Sequence, residues 1–119
     1  MRAVKAWIDR TRTMVSFPVE VRFVAPDDIP LSPSYGRDTC YVAVHMYQGM
    51  PYEQYFSAVE DIMRAADGRP HWGKLHFQTA ETLAPRYPRW DGAQAVRRRL
   101  DPRGTFANAY TDRVLGPVT

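Results

Sequence analysis

Two short runs of alternating side chains, set on either side of a proline-rich loop, constrain this chain more than any other feature. In Phe17-Pro18-Val19-Glu20-Val21-Arg22-Phe23-Val24, an extended backbone puts Val19, Val21 and Phe23 on one face and Glu20 and Arg22 on the other. Cys40 to Tyr47 repeats the pattern, with Val42, Val44 and Met46 alternating against Tyr41, Ala43, His45 and Tyr47. Between them Pro26, Asp27, Asp28, Pro30, Pro33 and Gly36 interrupt any periodicity and mark a loop. If the two strands share a sheet with their aliphatic faces on one core, then Glu20, Arg22, His45 and Tyr47 all lie on the opposite face.

Helical spacing flanks the strands. Val4, Trp7, Ile8 and Thr11, followed by Met14 and Val15, read as an amphipathic helix of about three turns. No capping residue precedes it and the pattern is already running at Val4, which suggests a chain cut from within a longer protein. After the second strand, Pro51 suits a first helical turn. Tyr52, Tyr55, Phe56, Val59, Ile62, Met63 and Ala66 then form an apolar stripe, which Gly68 should end in a left-handed conformation. Thr79 can cap a short helix to Leu83, Trp90 to Leu100 reads as another, and Asn108 can cap a last one through Val114 and Leu115. The expected class is α+β: a small antiparallel sheet packed against amphipathic helices, with an irregular helical C-terminal tail. Residues 1–76 would form the helix-strand-strand-helix part and residues 77–119 the tail, within the size of a single domain.

Several classes of function fall away. The excess of 16 basic over 13 acidic residues leaves only +3, and Arg97-Arg98-Arg99 on a helix would fan around its axis, so no nucleic-acid partner is expected. Cys40 is the single cysteine; it excludes an internal disulfide and a four-thiolate metal site, and is expected to be a small buried apolar residue. No apolar run approaches the roughly 20 residues that cross a bilayer, and the first residues lack the apolar core of a secretory signal, so the default location is cytoplasmic.

The chemistry concentrates in a few places. Glu20 and Arg22 stand about 6.6 Å apart along one strand face, enough to grip two ends of a polyhydroxylated ligand, or simply to form a surface ion pair. His45 and Tyr47 share that face, and each reads either as a structural side chain or as part of a site. In His71-Trp72-Gly73-Lys74-Leu75-His76, two imidazoles, an indole and an ammonium surround a glycine. Without a Cβ the main chain can approach a flat ligand there, with Trp72 as a wall and Lys74 as a cation; the alternative is a strand with a glycine bulge. The two histidines are five residues apart, on opposite faces of such a strand, so no metal site is expected.

The order PVEVRF, CYVAVH, RPHWGKLH and RYPRWDGAQAVRRRLDPRGTFANAYTDRVLG resembles the C-terminal part of the sugar-lactone oxidase family. That family comprises D-arabinono-1,4-lactone oxidase, L-gulonolactone oxidase or dehydrogenase, L-galactonolactone dehydrogenase and alditol oxidases. The likeness runs from Phe17 to Gly116. It implies the later part of a cap domain plus the tail, without the N-terminal FAD-binding domain of the vanillyl-alcohol-oxidase type. It further implies that Glu20 and Arg22 bind substrate and that Lys74 lies at flavin and substrate. By the same resemblance His45 is an active-site histidine, His71 contacts the flavin, and Asn108 and Tyr110 help seat the tail. Tyr47 replaces a threonine of some alditol oxidases. Arg22, His45 and Lys74 would carry catalysis, and Glu20, Arg22, His45, Tyr47 and Lys74 substrate binding, with His71 and Lys74 toward the cofactor.

The implied reaction removes a hydride from a carbinol carbon to flavin. Arg22 and Lys74 would stabilise negative charge, Glu20 would orient hydroxyls and His45 would accept the proton. The implied partners are a sugar lactone or alditol and an FAD-binding domain in cis or in trans; some relatives are membrane-associated. The isolated chain is expected to hold no flavin and to be inactive. The other reading is a catalytically incomplete fragment or a docking subunit. A severed cap should leave the faces bearing Trp72, Trp90 and Phe106 partly uncovered, favouring self-association.

Overall fold

A computed structural model describes residues 1–118 as an α+β structure of five α-helices and one two-stranded sheet. Helix α1 (Arg2–Thr11) leads to strands β1 (Glu20–Val24) and β2 (Thr39–Ala43), then α2 (Glu53–Ala65) and α3 (Ala80–Leu83). A 3-10 turn over Ala84–Arg86, α4 (Trp90–Leu100) and α5 (Ala109–Leu115) complete the chain. None of these helices is long and apolar enough to cross a membrane. The molecule measures 48 × 32 × 19 Å, and its radius of gyration of 16.1 Å exceeds the roughly 13.5 Å of a compact body of this length, so it is elongated.

The strands pair antiparallel, Glu20 opposite Ala43, Val21 opposite Val42, Arg22 opposite Tyr41 and Phe23 opposite Cys40. Opposed residues share a face, so Glu20, Arg22, Tyr41 and Ala43 line one side, as the alternation predicts. The strands are shorter than the alternating runs. Extending the register would set His45 against Pro18, which has no N–H to donate, and the ladder ends before that pair.

The expected burial of the aliphatic face is not found. Phe23 is 83% exposed, Val21 is also exposed, and so is Cys40, directly opposite Phe23. Only the continuation of β2 reaches a core: Val44 and Met46 join Val4, Tyr55 and Val59, where α1 and α2 pack with Trp7 stacked on Tyr55 at 6.0 Å. Burial raises the Tyr55 hydroxyl pKa.

A second core forms at the other end from Leu83, Tyr87, Trp90 and Val114, with Leu31 and Trp72 packed against it. Trp90 is therefore buried, and Trp72 half-buried, rather than left uncovered; Phe106, at 81% exposure, is the one of the three that lies open. Long polar side chains tie irregular segments to this core. Arg69 donates to the carbonyls of Pro33, Tyr35 and Arg86 and lies 5.1 Å over the Tyr87 ring, and the Trp72 indole N–H donates to the Leu31 carbonyl at 2.7 Å.

Helix ends follow local chemistry with one exchange of roles. Thr79 with Thr82, and Asn108 with Thr111, form reciprocal capping boxes. At the end of α2 the left-handed residue is Asp67 (φ 55°), not Gly68. Gly68 serves a different need: its N–H reaches the Met63 carbonyl at 2.7 Å, and a Cβ there would stand 2.6 Å from that oxygen. Aspartate tolerates the left-handed region better than most side chains, and Arg37 and Arg86 both pair with the Asp67 carboxylate.

Candidate functional site

On the polar face of the hairpin Glu20 and Arg22 form an ion pair with each other, as residues two apart on a strand can. Arg22 remains 74% exposed and Glu20 38%, so both side chains stay open to a ligand while fixed toward one another. Across the sheet on the same face, Ala43 is opposite Glu20 and Tyr41 is opposite Arg22.

Tyr41 makes the connection that joins this face to the other candidate segment. Its ring meets His71 edge-on at 6.2 Å. His71 begins a turn, not a strand: its carbonyl accepts the Lys74 N–H at 3.0 Å, and its Nδ1 accepts the Gly73 N–H at 3.1 Å. With Nδ1 accepting, a neutral His71 carries its proton on Nε2 and presents a donor. Gly73 has no positive φ, and a Cβ there would meet only the His71 ring, at an ordinary 3.4 Å. Nothing within the described residues demands glycine at this place, in contrast to Gly68.

Lys74 follows, exposed and without a carboxylate partner among the described residues. It lines a cleft of about 510 Å³ together with Trp72, Gly73, Leu75, His76, Tyr110 and Arg113. Two cations, Lys74 and Arg113, and two aromatic walls, Trp72 and Tyr110, thus surround one concavity, a donor set suited to a flat anionic or carbonyl-bearing group. His76, which lines the same cleft, is buried, and its pKa is lowered by that burial and by Arg113, with Glu60 acting in the opposite sense.

His45 and Tyr47 lie beyond the end of β2, around Phe17: the Phe17 and Tyr47 rings stack at 6.3 Å and His45 meets Phe17 edge-on at 6.4 Å. The structure therefore brings Glu20, Arg22 and, through Tyr41, His71 into one neighbourhood, and puts Lys74 one turn further on. His45 and Tyr47 occupy the opposite end of the same strand face. The cleft lining contains Lys74 but not Glu20, Arg22 or His45. Among the described residues no group of three His, Cys, Asp or Glu side chains is arranged to hold a metal ion.

Three residues here escaped the sequence reading as site components. Tyr41 had been legible only as one of several residues on the polar face. Arg113 and Glu60 gave no signal, because each acts on main chain distant in sequence. Arg113 donates to the carbonyls of His76 and Gln78, and Glu60 accepts the Phe77 N–H and a Gln78 side-chain N–H.

Comparison with known proteins matches residues 1–114 to the D-arabinono-1,4-lactone oxidase family. Over 110 residues the chain is 62% identical to L-gulono-1,4-lactone dehydrogenase of Mycobacterium tuberculosis, covering 92% of this chain and 26% of that protein. It is 41% identical over 116 residues to L-gulonolactone oxidase of Bos taurus, with 93% and 26% covered. With the alditol oxidase of a Streptomyces species it shares 44% over 110 residues, 87% of this chain and 26% of the relative. The chain thus spans about a quarter of the length of these curated relatives. Strong identity over most of the chain, and a family match that takes in both the strand pair and the His71–Lys74 turn, lead to one assignment: the chain belongs to the D-arabinono-1,4-lactone oxidase family.

Proposed function

We propose that this chain is the substrate-facing cap part and tail of an FAD-dependent oxidoreductase that oxidises an aldono-1,4-lactone by hydride transfer to the flavin, as a D-arabinono-1,4-lactone oxidase or L-gulonolactone dehydrogenase would. The observation that carries the reading is the Tyr41–His71 contact, which joins the Glu20–Arg22 face to the turn bearing Lys74.

The residues fit a flavin at that turn. Among the described residues Gly73 has no internal reason to lack a side chain and Lys74 has no carboxylate partner, and Trp72 and Tyr110 offer flat walls beside it. His71 and Lys74 are the groups that would face the ring system, the first as an N–H donor and the second as a cation. FAD supplies, when bound, the acceptor for the hydride that leaves the carbinol carbon.

The chain's own residues supply the rest. Glu20 accepts hydrogen bonds from substrate hydroxyls, and its pairing with Arg22 holds the guanidinium in a defined orientation. Arg22 and Lys74 stabilise the negative charge that develops on oxygen as the C–H bond breaks. His45 takes the hydroxyl proton, and Tyr47 borders the same end of the face. The carbinol loses one hydride and one proton, giving a 2-keto-aldonolactone, or an aldose where an alditol is bound.

The test uses the assembled enzyme, this chain with its FAD-binding part in cis or in trans. Glu20→Ala or Arg22→Ala should lower kcat/KM by more than about tenfold. Near-normal kinetics would remove the pair from the site.

A second reading, an incomplete fragment or a docking subunit that needs a separate flavin domain, is favoured by the elongated shape and the open Phe23 face. On either reading the purified chain alone holds no flavin; stoichiometric yellow cofactor retained by it would overturn both.

A further inference from the structure

The turn from Trp72 to His76 is anchored at its two ends, where the Trp72 ring packs on the core and His76 is buried, but not between them. It contains no helix or strand, and Leu75 is 69% exposed, so no apolar burial anchors its middle. His71 closes one end through its carbonyl and Nδ1. The other end is held just beyond His76 by Glu60 of α2, which accepts the Phe77 N–H, and at His76 itself by the last helix of the tail.

Tyr110 on α5 places its hydroxyl 2.5 Å from the Trp72 carbonyl and 3.1 Å from His76 Nε2. A carbonyl can only accept, so the single phenolic proton goes to Trp72, and the hydrogen in the second bond comes from His76. His76 is therefore the Nε2–H tautomer, and its buried Nδ1, which has no partner among the described residues, is the unprotonated nitrogen. One hydroxyl thus bridges two residues four apart in the chain, with Lys74 midway between them. Arg113, one helical turn along from Tyr110, braces the same bridge: its guanidinium lies 5.3 Å over the Tyr110 ring and donates to the His76 carbonyl at 3.1 Å and the Gln78 carbonyl at 2.5 Å.

We infer that Tyr110, braced by Arg113, is a positioning residue for Lys74: the hydroxyl fixes the span from Trp72 to His76 and so sets where the ammonium stands. This rests on the reading of Lys74 as a cation at the reacting centre. The tail then has a catalytic purpose distinct from covering a core, since it determines the geometry of a group it does not itself resemble or replace. A cation that acts on developing charge contributes more in the transition state than in the ground state, so its displacement lowers kcat more than it raises KM.

The experiment is a double-mutant cycle in the assembled FAD enzyme, comparing wild type, Tyr110→Phe, Lys74→Ala and the double variant, with melting temperatures recorded alongside. Tyr110→Phe removes one oxygen and leaves the ring packing intact. It should lower kcat roughly tenfold with KM within about twofold, and in the Lys74→Ala background it should cost less than about twofold. An equal loss in both backgrounds, or no loss in the wild type while Lys74→Ala is crippled, overturns the positioning role alone. Near-normal turnover of Lys74→Ala overturns the assignment of Lys74 in the proposed function and this role with it. Should Tyr110→Phe not assemble, Arg113→Lys, which keeps the charge but loses the two-carbonyl clasp, goes through the same cycle with the same two outcomes.

Discussion

The two ends of this molecule are built on different terms. At the Leu83–Tyr87–Trp90–Val114 end, a closed aromatic and aliphatic core is surrounded by side chains that reach across 17 to 41 residues of sequence to satisfy carbonyls of irregular segments. At the hairpin end the polar face is ordered by an ion pair and an aromatic contact, while the apolar face of Val21, Phe23 and Cys40 is bare. The first end resembles the interior of a finished domain. The second leaves apolar side chains facing solvent among the described residues.

That contrast can be tested by substitution in the 119-residue chain. Leu83→Ala, at a fully buried position, should lower stability by about 2–5 kcal/mol, read from the denaturant midpoint. A loss below about 1 kcal/mol would mean that this end is not the close-packed body described. Gly68→Ala should cost about 1–3 kcal/mol, because the new methyl cannot share space with the Met63 carbonyl. The matching change at Gly73 meets only an ordinary contact, and the unfolding midpoint should stay within about 0.5 kcal/mol of wild type.

His76 sharpens the comparison through pH. Burial first, and Arg113 second, hold its pKa below the ordinary 6.5. As pH falls below 6.5 the unfolded chain therefore binds a proton that the folded chain does not, and stability declines until the lowered folded value is reached. His76→Gln, which keeps an N–H for Tyr110, should flatten that part of a melting-temperature profile; an unchanged slope would show that the ring is not buried in solution. The smallest effect belongs to the other end. Phe23→Ser should leave the denaturant midpoint within about 0.5 kcal/mol of wild type, since no core is disturbed. If it destabilises the chain as much as Leu83→Ala, the hairpin face is covered in solution and the contrast fails.

Much of the local structure was legible because its causes are local. Thr79 and Asn108 cap where their hydroxyl and amide chemistry says they should, and Trp90–Leu100 runs to the Asp101-Pro102 stop. Alternation correctly put Glu20 and Arg22 on one face with Tyr41 and Ala43. It failed at the strand ends, where Pro18 deprives the ladder of a donor. It also failed on Cys40, whose polarity says buried but whose face has nothing against it. At Asp67-Gly68 the two residues trade the roles that intrinsic preference assigns, because the closeness of Met63 decides which of them can carry a Cβ.

The site divides in the same way. Residue order and type alone determined the family, the polar strand face and the unusual concentration of groups from His71 to Lys74. Only the tertiary structure decided that Tyr41 connects that face to His71, that Trp90 is core, and that Tyr110 and Arg113 grip a turn more than thirty residues earlier in the chain. Periodicity and capping act over one or two turns of backbone and leave their mark in neighbouring letters. A hydroxyl or guanidinium that satisfies a distant carbonyl needs no sequence pattern at all, since every residue supplies the same acceptor and only packing determines which one comes within reach.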